Sequence, residues 1–260
     1  MEKEINLKNP RLKKPEQKFN QNFIEALQVD EKKNIGTLFD RIAGRYDLLN
    51  HLLSLNIDRL WRRKAVAGIV PIASDAQTLD VAIGTADLAL ELLRQGKTAR
   101  VEGLDLSTQM MRIGEEKVQR AGLADKVCFT EGSALDMPFE DKRFELVTCA
   151  YGVRNFADLD KGLCEMQRVL KDGGQLMILE FSYPSNRLIA WCYDLYFSHV
   201  LPWIGRIVSR DKTAYTYLNR SVKSFVWGEQ MCRRLRQAGF QHVCVRPMTF
   251  GITTVYYALK

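Results

Sequence analysis

Apolar positions in this chain follow two alternating spacings. Between Gln77 and about residue 181, short apolar runs of strand length alternate with stretches whose apolar residues recur at helical intervals. This pattern predicts strands over 78–83, 100–106, 126–130, 144–150 and 175–181, and helices over 87–95, 107–120 and 158–170. Because repeated β-α-β units pair their strands in parallel, we expect an α/β fold with a mostly parallel sheet and helices on both faces.

Polar and glycine residues mark the expected ends of several helices. Ser107 is predicted to cap the helix that follows it, and Asp58 is predicted to cap an earlier helix that runs to about Ile72. The Lys-Asp-Gly-Gly sequence at 171–174 is predicted to close the helix over 158–170 with a C-cap and a turn.

The C-terminal part of the chain has a different pattern. A helix is predicted around 229–238, and two β-rich runs follow over 242–249 and 252–259. They are joined at Gly251, and so short a joint favours an antiparallel strand pair at the end of the sheet.

The segments outside this alternation set the predicted domain organisation. Residues 1–33 are a flexible charged leader, and residues 34–260 form one domain. Within that domain, residues 34–75 are predicted to form an N-terminal helical lid, because their apolar residues fall at helical spacings. Residues 185–226 are predicted to be an aromatic-rich insertion that faces the substrate or a membrane.

Composition narrows the function classes. The net charge is +7 and the sequence pI is about 9.1, which suits nucleic acid or an anionic membrane face, but no nucleic-acid motif accompanies it. No run reaches the roughly 18 apolar residues that a spanning helix needs, and the N-terminus has no signal-peptide core. We therefore expect a cytoplasmic protein with no nucleic-acid partner. The six cysteines and three histidines lack metal-ligand spacing, so we expect no metal.

A nucleotide site is predicted where the first strand of the sheet meets the next helix. Asp80 lies near the end of that strand, and Gly84 allows the backbone to approach a ligand closely. Asp105 ends the second strand 21 residues later, where a carboxylate accepts both hydroxyls of a ribose. Ser133 and Ala134 follow the third strand and are placed to line an adenine pocket. The loop lacks G-x-G-x-x-G, which argues against a dinucleotide.

Six stretches of the sequence are typical of one family, namely 39–43, 46–50, 152–155, 168–174, 179–182 and 199–202. In these stretches, and over about residues 36–260, the chain resembles the menaquinone/ubiquinone C-methyltransferases of the UbiE/MenG type. The resemblance implies a class I, Rossmann-like methyltransferase fold with a seven-stranded sheet. It also implies S-adenosylmethionine as methyl donor and a polyprenylated quinol as acceptor, most like demethylmenaquinol. The corresponding alternative is the 2-methoxy-6-polyprenyl-benzoquinol of ubiquinone biosynthesis.

Carried over by position, the resemblance places Thr85, Asp105, Ser133 and Ala134 among the donor-binding residues. Ala150 stands where many members of the family have a serine near the donor, and Ala86 stands where the family usually has a second glycine. The extra methyl group of Ala86 is tolerable on the condition that its φ is negative.

The predicted catalytic residues follow from the chemistry of a quinol. Its ring carbon becomes nucleophilic when the neighbouring hydroxyl loses a proton, and a phenol with a pKa near 10 is mostly neutral at pH 7. Arg154 is predicted to stabilise the phenolate or to organise a water that takes the proton. Asn155 is predicted to hydrogen-bond the quinol oxygen. The alternative for Arg154 is a surface ion pair with Asp158 or Asp160.

The resemblance also implies residues that enclose the site. Tyr46, Asp47 and Asn50 are predicted to form a lid over the donor, with Tyr46 counted as catalytic and the other two as substrate contacts. His199 is a further candidate substrate contact. The aromatic run over 187–209 is interpreted either as ordinary core or as a tunnel and membrane-facing surface for the polyprenyl tail.

Several departures from the family pattern bear on donor affinity more than on reaction type. Leu49, Asp58 and Asp172 replace a usual Met, His and Pro. Together with the alanines at 86 and 150, they leave open a methyltransferase-like subunit without catalysis. A small-molecule O-methyltransferase is another alternative, but it would not need the aromatic run. The sequence leaves the oligomeric state open, with a homodimer as one option.

Overall fold

The computed structural model describes residues 36–37, 39–40, 43–44, 47, 51, 54–73, 75–196, 221–222 and 224–260. The predictions made for the leader, for Tyr46, Asn50 and His199, and for most of the insertion lie outside these residues. Among the described residues, no helix combines the length and the apolar character needed to cross a membrane. The five cysteines whose side chains the structure describes are free thiols.

One seven-stranded sheet organises the described part of the chain. Its strands are β1 Gln77–Val81, β2 Arg100–Asp105, β3 Val127–Glu131, β4 Phe144–Ala150, β5 Leu170–Phe181, β6 Gln241–Met248 and β7 Thr253–Leu259. Their order is β3-β2-β1-β4-β5-β7-β6. The first five strands pair in parallel, whereas β7 lies antiparallel between β5 and β6. The predicted parallel sheet and antiparallel terminal pair are both confirmed.

Amphipathic helices cover the two faces of the sheet. They are α1 Ile57–Ala67, α2 Asp87–Arg94, α3 Thr108–Arg120, α4 Leu159–Val169, α5 Arg187–Leu195 and α6 Glu229–Gln237. On one face, α1, α2 and α3 pack apolar residues such as Trp61 and Leu92 into one core. Leu163 of α4 and Leu235 of α6 belong to a second core. The described residues between 36 and 51 are helical, as their spacing predicts.

The predicted helix ends are partly right. Ser107 caps α3 by accepting a hydrogen bond from the backbone N–H of Met110, as predicted. Asp58 is not a cap, because α1 begins at Ile57 and Asp58 lies inside it. The Asp58 carboxylate accepts instead from Ser54 at 2.6 Å and from Arg62. The helix ends at Ala67 rather than near residue 72.

The chain between α4 and β5 corrects a second prediction. Leu170 is already extended and pairs with Phe144, and the next pairing joins Gln175 to Leu146. Residues 171–174 therefore bulge out of the strand, and they do not form a C-cap. Gly173 permits the bulge with a φ of +75°, and its N–H donates to the carbonyl of Lys260 at 3.0 Å.

The end of β1 sets the position of the site. The strand stops at Val81, two residues earlier than predicted, because Ala82 has a φ of +56°. Ile83 then packs onto β2 where Gly103 leaves room, since a Cβ there would lie 2.1 Å from Ile83 Cδ1. The absence of that methyl group brings the loop after β1 close to the end of β2.

Candidate active site

A cavity of about 190 Å³ lies at the carboxyl edge of the sheet. The chain leaves β1 towards β2 on one side and later enters β4 on the other, so this is the switch point where ligands of open α/β sheets bind. Six of the predicted site residues line the cavity, namely Gly84, Asp105, Ser133, Ala134, Ala150 and Asn155. Sequence reasoning had placed them at the ends of four different strands, and the parallel sheet brings those ends together.

Asp105 presents the carboxylate of this cavity. One oxygen accepts the Gly84 N–H at 2.8 Å, and the other accepts the Ser107 N–H at 2.9 Å. Burial raises the pKa of Asp105, against the opposing effect of these two bonds. The Leu106 N–H is a further backbone donor to this carboxylate. Since a carboxylate offers about four lone-pair sites, these backbone groups do not saturate Asp105. The geometry suits the two hydroxyls of a ribose, and the side chains of Leu104, Met110 and Leu135 supply apolar walls for a base.

The loop between β1 and α2 holds three residues with left-handed backbone. The φ angles are +56° at Ala82, +54° at Gly84 and +64° at Ala86. The condition of a negative φ at Ala86 is therefore not met. Only the glycine adopts this conformation without strain, so both alanines are strained and the surrounding structure must hold them.

Two predicted donor-binding residues, Thr85 in this loop and Asp80 in β1, do not line the cavity. Thr85 is buried, and its hydroxyl donates to Oδ1 of Asp47 at 2.6 Å. Asp80 is buried in β1 and accepts from the Thr148 hydroxyl at 2.8 Å. Burial raises the pKa of Asp80 to about 7, and the charge of Asp105 adds to the effect.

Arg154 and Asn155 end a short 3-10 turn, Val153–Asn155, that follows β4. Asn155 lines the cavity, whereas Arg154 is not among its lining residues. The Arg154 guanidinium donates to Glu180 at 2.8 Å and to the carbonyl of Tyr151, and it lies over the Phe181 ring. The surface-pair alternative is wrong, because the pair with Glu180 is buried.

The two acidic residues of that alternative have other partners. Asp160 pairs with Arg234 at 2.5 Å. Asp158 caps α4 by accepting from the Lys161 N–H at 3.0 Å.

Sequence reasoning missed two residues beside the site. Glu180 lies in the family-typical stretch 179–182, but its role as the partner of Arg154 depends on a contact across 26 residues of sequence. Tyr151 lines the cavity with a φ of +59°, which is rare for a bulky residue and occurs at functional sites. Its ring packs on Phe181 with centroids 4.6 Å apart, and burial raises its pKa.

The described residues of the predicted N-terminal lid contact the site at two points. Gly36 and Phe39 line the cavity. Asp40 accepts from the hydroxyl of Ser107 at 2.6 Å, directly beside Asp105. Asp47 lies at the other side, against Thr85 and the ammonium of Lys117. The predicted substrate contact of Asp47 is therefore, in this structure, a contact with the loop.

A cluster of His51, Asp58 and Asp87 lies next to this loop. His51 Nδ1 is 2.8 Å from Oδ2 of Asp58, and Arg62 contacts both carboxylates, lying 2.9 Å from Asp87. Burial alone would raise the pKa of Asp87, but Arg62 and Lys117 outweigh it and hold the pKa below its usual value. The guanidinium occupies the space between the acids, so the cluster is an ion-pair network.

The chain resembles known proteins over nearly its whole length. The model of the ubiE/COQ5 methyltransferase family matches residues 27–260. The demethylmenaquinone methyltransferase of Bacteroides fragilis is 43% identical over 239 residues, which cover 91% of this chain and 97% of that protein. The ubiquinone/menaquinone biosynthesis C-methyltransferase UbiE of Geotalea daltonii is 41% identical over 233 residues, which cover 89% and 98% of the two chains.

A solved structure extends the likeness to the fold. A SAM-dependent methyltransferase of Thermotoga maritima, described as a possible histamine N-methyltransferase, matches with a TM-score of 0.61 and 18% identity. The match covers 86% of this chain and 99% of that one. An identity this low bears on the fold alone, and it confirms the class I methyltransferase architecture.

Proposed function

The chain belongs to the ubiE/COQ5 methyltransferase family, and we propose that it methylates a ring carbon of demethylmenaquinol. It is an S-adenosylmethionine-dependent methyltransferase of quinone biosynthesis. Relatives named for the demethylmenaquinone reaction support menaquinol as the product. The relative named for both quinones makes 2-methoxy-6-polyprenyl-benzoquinol the second candidate acceptor.

The observation that carries the donor assignment is the position of Asp105. Its carboxylate lies in the cavity, held by the N–H groups of Gly84 and Ser107, and it can accept further hydrogen bonds. The ribose hydroxyls of S-adenosylmethionine match that capacity, and the apolar walls match its adenine. The bound donor supplies a methyl group on a sulfonium, which is activated for transfer to a nucleophile.

The acceptor assignment rests on the turn after β4. We assign Asn155, which lines the cavity, to hydrogen-bond the quinol oxygen. Arg154 precedes it and supplies positive charge that favours the phenolate over the neutral quinol, while Glu180 holds the guanidinium in place. A carbon–carbon bond then forms as the sulfur–methyl bond breaks, and the ring carbon loses its proton to solvent. Most of the catalysis is alignment of the two carbons.

We also propose that the enzyme contacts the membrane surface through α5. The polyprenyl tail of the proposed substrate would lie in that membrane. Leu188, Trp191 and Leu195 recur at helical spacing and are 70%, 62% and 46% exposed. The opposite side of α5 is anchored by the buried Tyr193, and Asp194 at the border of the stripe accepts from the Tyr183 hydroxyl at 2.5 Å. An exposed apolar face with a tryptophan suits the headgroup region of a bilayer and supports a peripheral location on its inner face.

Substitution of Asp105 tests the donor assignment. In calorimetric titrations with S-adenosylmethionine, Asp105→Ala should weaken binding at least about tenfold, because charge-assisted hydrogen bonds are worth about 1.5–3 kcal/mol each. Glu131→Ala is the matched control, since Glu131 ends β3 in register with Asp105 but is exposed and does not line the cavity. Equal affinity of the two variants would remove Asp105 from the site.

The acceptor is tested separately in cells and in vitro. Deletion of the gene should replace menaquinone by its demethylated form in the quinone mass spectrum. The purified enzyme should methylate a demethylmenaquinol analogue under anaerobic reducing conditions. Accumulation of a demethylated benzoquinone precursor instead would favour the ubiquinone substrate.

A further inference from the structure

The side-chain ammonium of Lys117 contacts three residues, one in the N-terminal segment and two in the loop 82–87. Lys117 lies in the last turn of α3. It donates to Oδ2 of Asp47 at 2.8 Å, to the hydroxyl oxygen of Thr85 at 3.1 Å and to Asp87. An ammonium has three N–H donors, so these contacts use all of them. Most of the Lys117 side chain is buried, which strengthens each contact relative to an exposed pair.

A small residue brings Lys117 to this position. Gly114 precedes it by one helical turn, and a Cβ at that glycine would lie 3.2 Å from the carbonyl oxygen of Gly84. The helix therefore approaches the loop closely enough for the ammonium one turn later to reach Thr85 and Asp87. These two residues flank Ala86, which has a φ of +64°.

The loop needs such a restraint. Ala82 and Ala86 both hold left-handed backbone, which costs an L-residue other than glycine roughly 1–2 kcal/mol. Strained backbone persists only where its surroundings over-determine it. The ammonium bonds the residues on either side of Ala86, and the Asp47 carboxylate closes the cluster by accepting the Thr85 hydroxyl at 2.6 Å.

We propose that Lys117 is a positioning residue for the methyl-donor site: it ties Thr85 and Asp87 to Asp47 and so holds the strained loop in the form that presents Gly84 and Asp105 to the donor. The proposal rests on the proposed function, since it assigns the donor to this cavity. Lys117 does not line the cavity, so it acts on the donor through the loop.

The test compares donor affinity in Lys117→Met, which keeps the aliphatic stem, with Arg120→Met. Arg120 lies on the same helix, is exposed and pairs only at the surface with Glu116. Lys117→Met should raise the dissociation constant for S-adenosylmethionine at least about tenfold, the value of one charge-assisted hydrogen bond. At saturating donor, kcat should stay close to that of the wild type, and Arg120→Met should change neither quantity.

Rescue distinguishes positioning from a general loss of stability. Ala86→Gly removes the strain that the ammonium restrains, so Lys117→Met/Ala86→Gly should recover at least about threefold of the lost affinity, consistent with relief of roughly 1 kcal/mol or more. If Lys117→Met does not fold, Lys117→Gln carries the same prediction. An unchanged dissociation constant in the folded variant, or no recovery in the double variant, would overturn the proposal.

The two proposals fail in different ways. A wild-type protein that does not bind S-adenosylmethionine would contradict the proposed function. A wild type that binds it, together with a Lys117→Met variant of equal affinity, would contradict only the role of Lys117.

Discussion

Arg154 donates to Oε1 of Glu180 at 2.8 Å, and the two side chains are only 5% and 1% exposed. The same carboxylate accepts from the backbone N–H groups of Phe181 at 2.8 Å and of Arg154 at 3.3 Å. The pair therefore fastens the turn that carries Asn155 to the end of β5. Loss of one partner leaves a buried charge uncompensated, which typically costs 3–5 kcal/mol, so a single substitution of Arg154 affects stability and chemistry together.

A paired substitution separates the two effects. Arg154→Met should lower the free energy of unfolding by about 3–5 kcal/mol. Arg154→Met/Glu180→Gln should recover much of that loss, because neither charge remains. Turnover in the double variant should still be lower, by up to roughly 10²-fold, because the ion pair that positions the turn carrying Asn155 and the positive charge behind the cavity are both removed. Urea unfolding and anaerobic turnover assays measure the two quantities, and near-normal turnover in the double variant would remove Arg154 from the chemistry.

Ala86→Gly should stabilise the protein. The φ of +64° strains an alanine, whereas glycine adopts it freely and loses part of the gain to its greater entropy in the unfolded chain. We expect a net gain of roughly 0.5–1 kcal/mol, seen as a higher Tm. Ala89→Gly, in the interior of α2, should have the opposite sign, since glycine in a helix costs about 1 kcal/mol relative to alanine. A lower Tm for Ala86→Gly would mean that the methyl group contributes more by packing than it costs in strain.

The sequence predicts the layout of this fold well because burial leaves a periodic record. The spacing of apolar residues located β2, β4 and α2 almost to the residue, and the short joint at Gly251 predicted the antiparallel end of the sheet. Parallel pairing then brings the ends of separate strands to one edge, so Gly84, Asp105 and Ser133 were correctly expected to lie together.

The contacts that tune the site leave no such record. Lys117 meets Asp47 across 70 residues of sequence, and the spacing of either charge is that of an ordinary solvated helix face. The φ of Ala86 is +64° although alanine disfavours a positive φ, so the residue type alone could not give its sign. Asp58 was mistaken for a cap because the helix begins one residue earlier, and its carboxylate pairs with Arg62 one turn further along the same helix and with His51 from the preceding segment. Periodicity reports which residues are buried, and not which polar groups pair.

The buried carboxyl of Asp80 predicts a pH dependence of stability. Burial raises its pKa to about 7, whereas an aspartate in an unfolded chain has a pKa of about 3.9. The native state therefore binds the proton more tightly, and this stabilisation is complete below about pH 4 and lost as the pH rises to 7. Asp80→Asn cannot ionise, so its stability relative to the wild type should rise by roughly 2–4 kcal/mol between pH 4 and 7 and then stay constant.

Asp172→Asn is the control for that titration. The hydrogen bond from Lys142 lowers the pKa of the exposed Asp172, so its contribution is present above the unfolded pKa and lost only as the pH falls further. Its effect on urea unfolding should thus be the same at pH 5 and pH 8. A constant difference in the free energy of unfolding between Asp80→Asn and the wild type from pH 4 to pH 7 would show that Asp80 does not titrate in that range.

The membrane contact proposed for the exposed face of α5 predicts that vesicle binding depends on Trp191. Leu188, Trp191 and Leu195 form one apolar stripe, so Trp191→Ala should weaken co-sedimentation with vesicles of phosphatidylethanolamine and phosphatidylglycerol by roughly tenfold, the effect of partly burying a large apolar side chain. Val70→Ala is the control, because Val70 is likewise 63% exposed but lies away from α5. Its backbone N–H donates to the side chain of Gln175, near the start of β5, whereas α5 follows the end of that strand. Both variants should bind S-adenosylmethionine as the wild type does.

High salt should weaken the charge-dependent part of vesicle binding and leave the difference between the two variants, since burial of the indole is not screened. Equal sedimentation of Trp191→Ala and the wild type would assign the stripe to some other contact and leave the quinol to reach the cavity by another route.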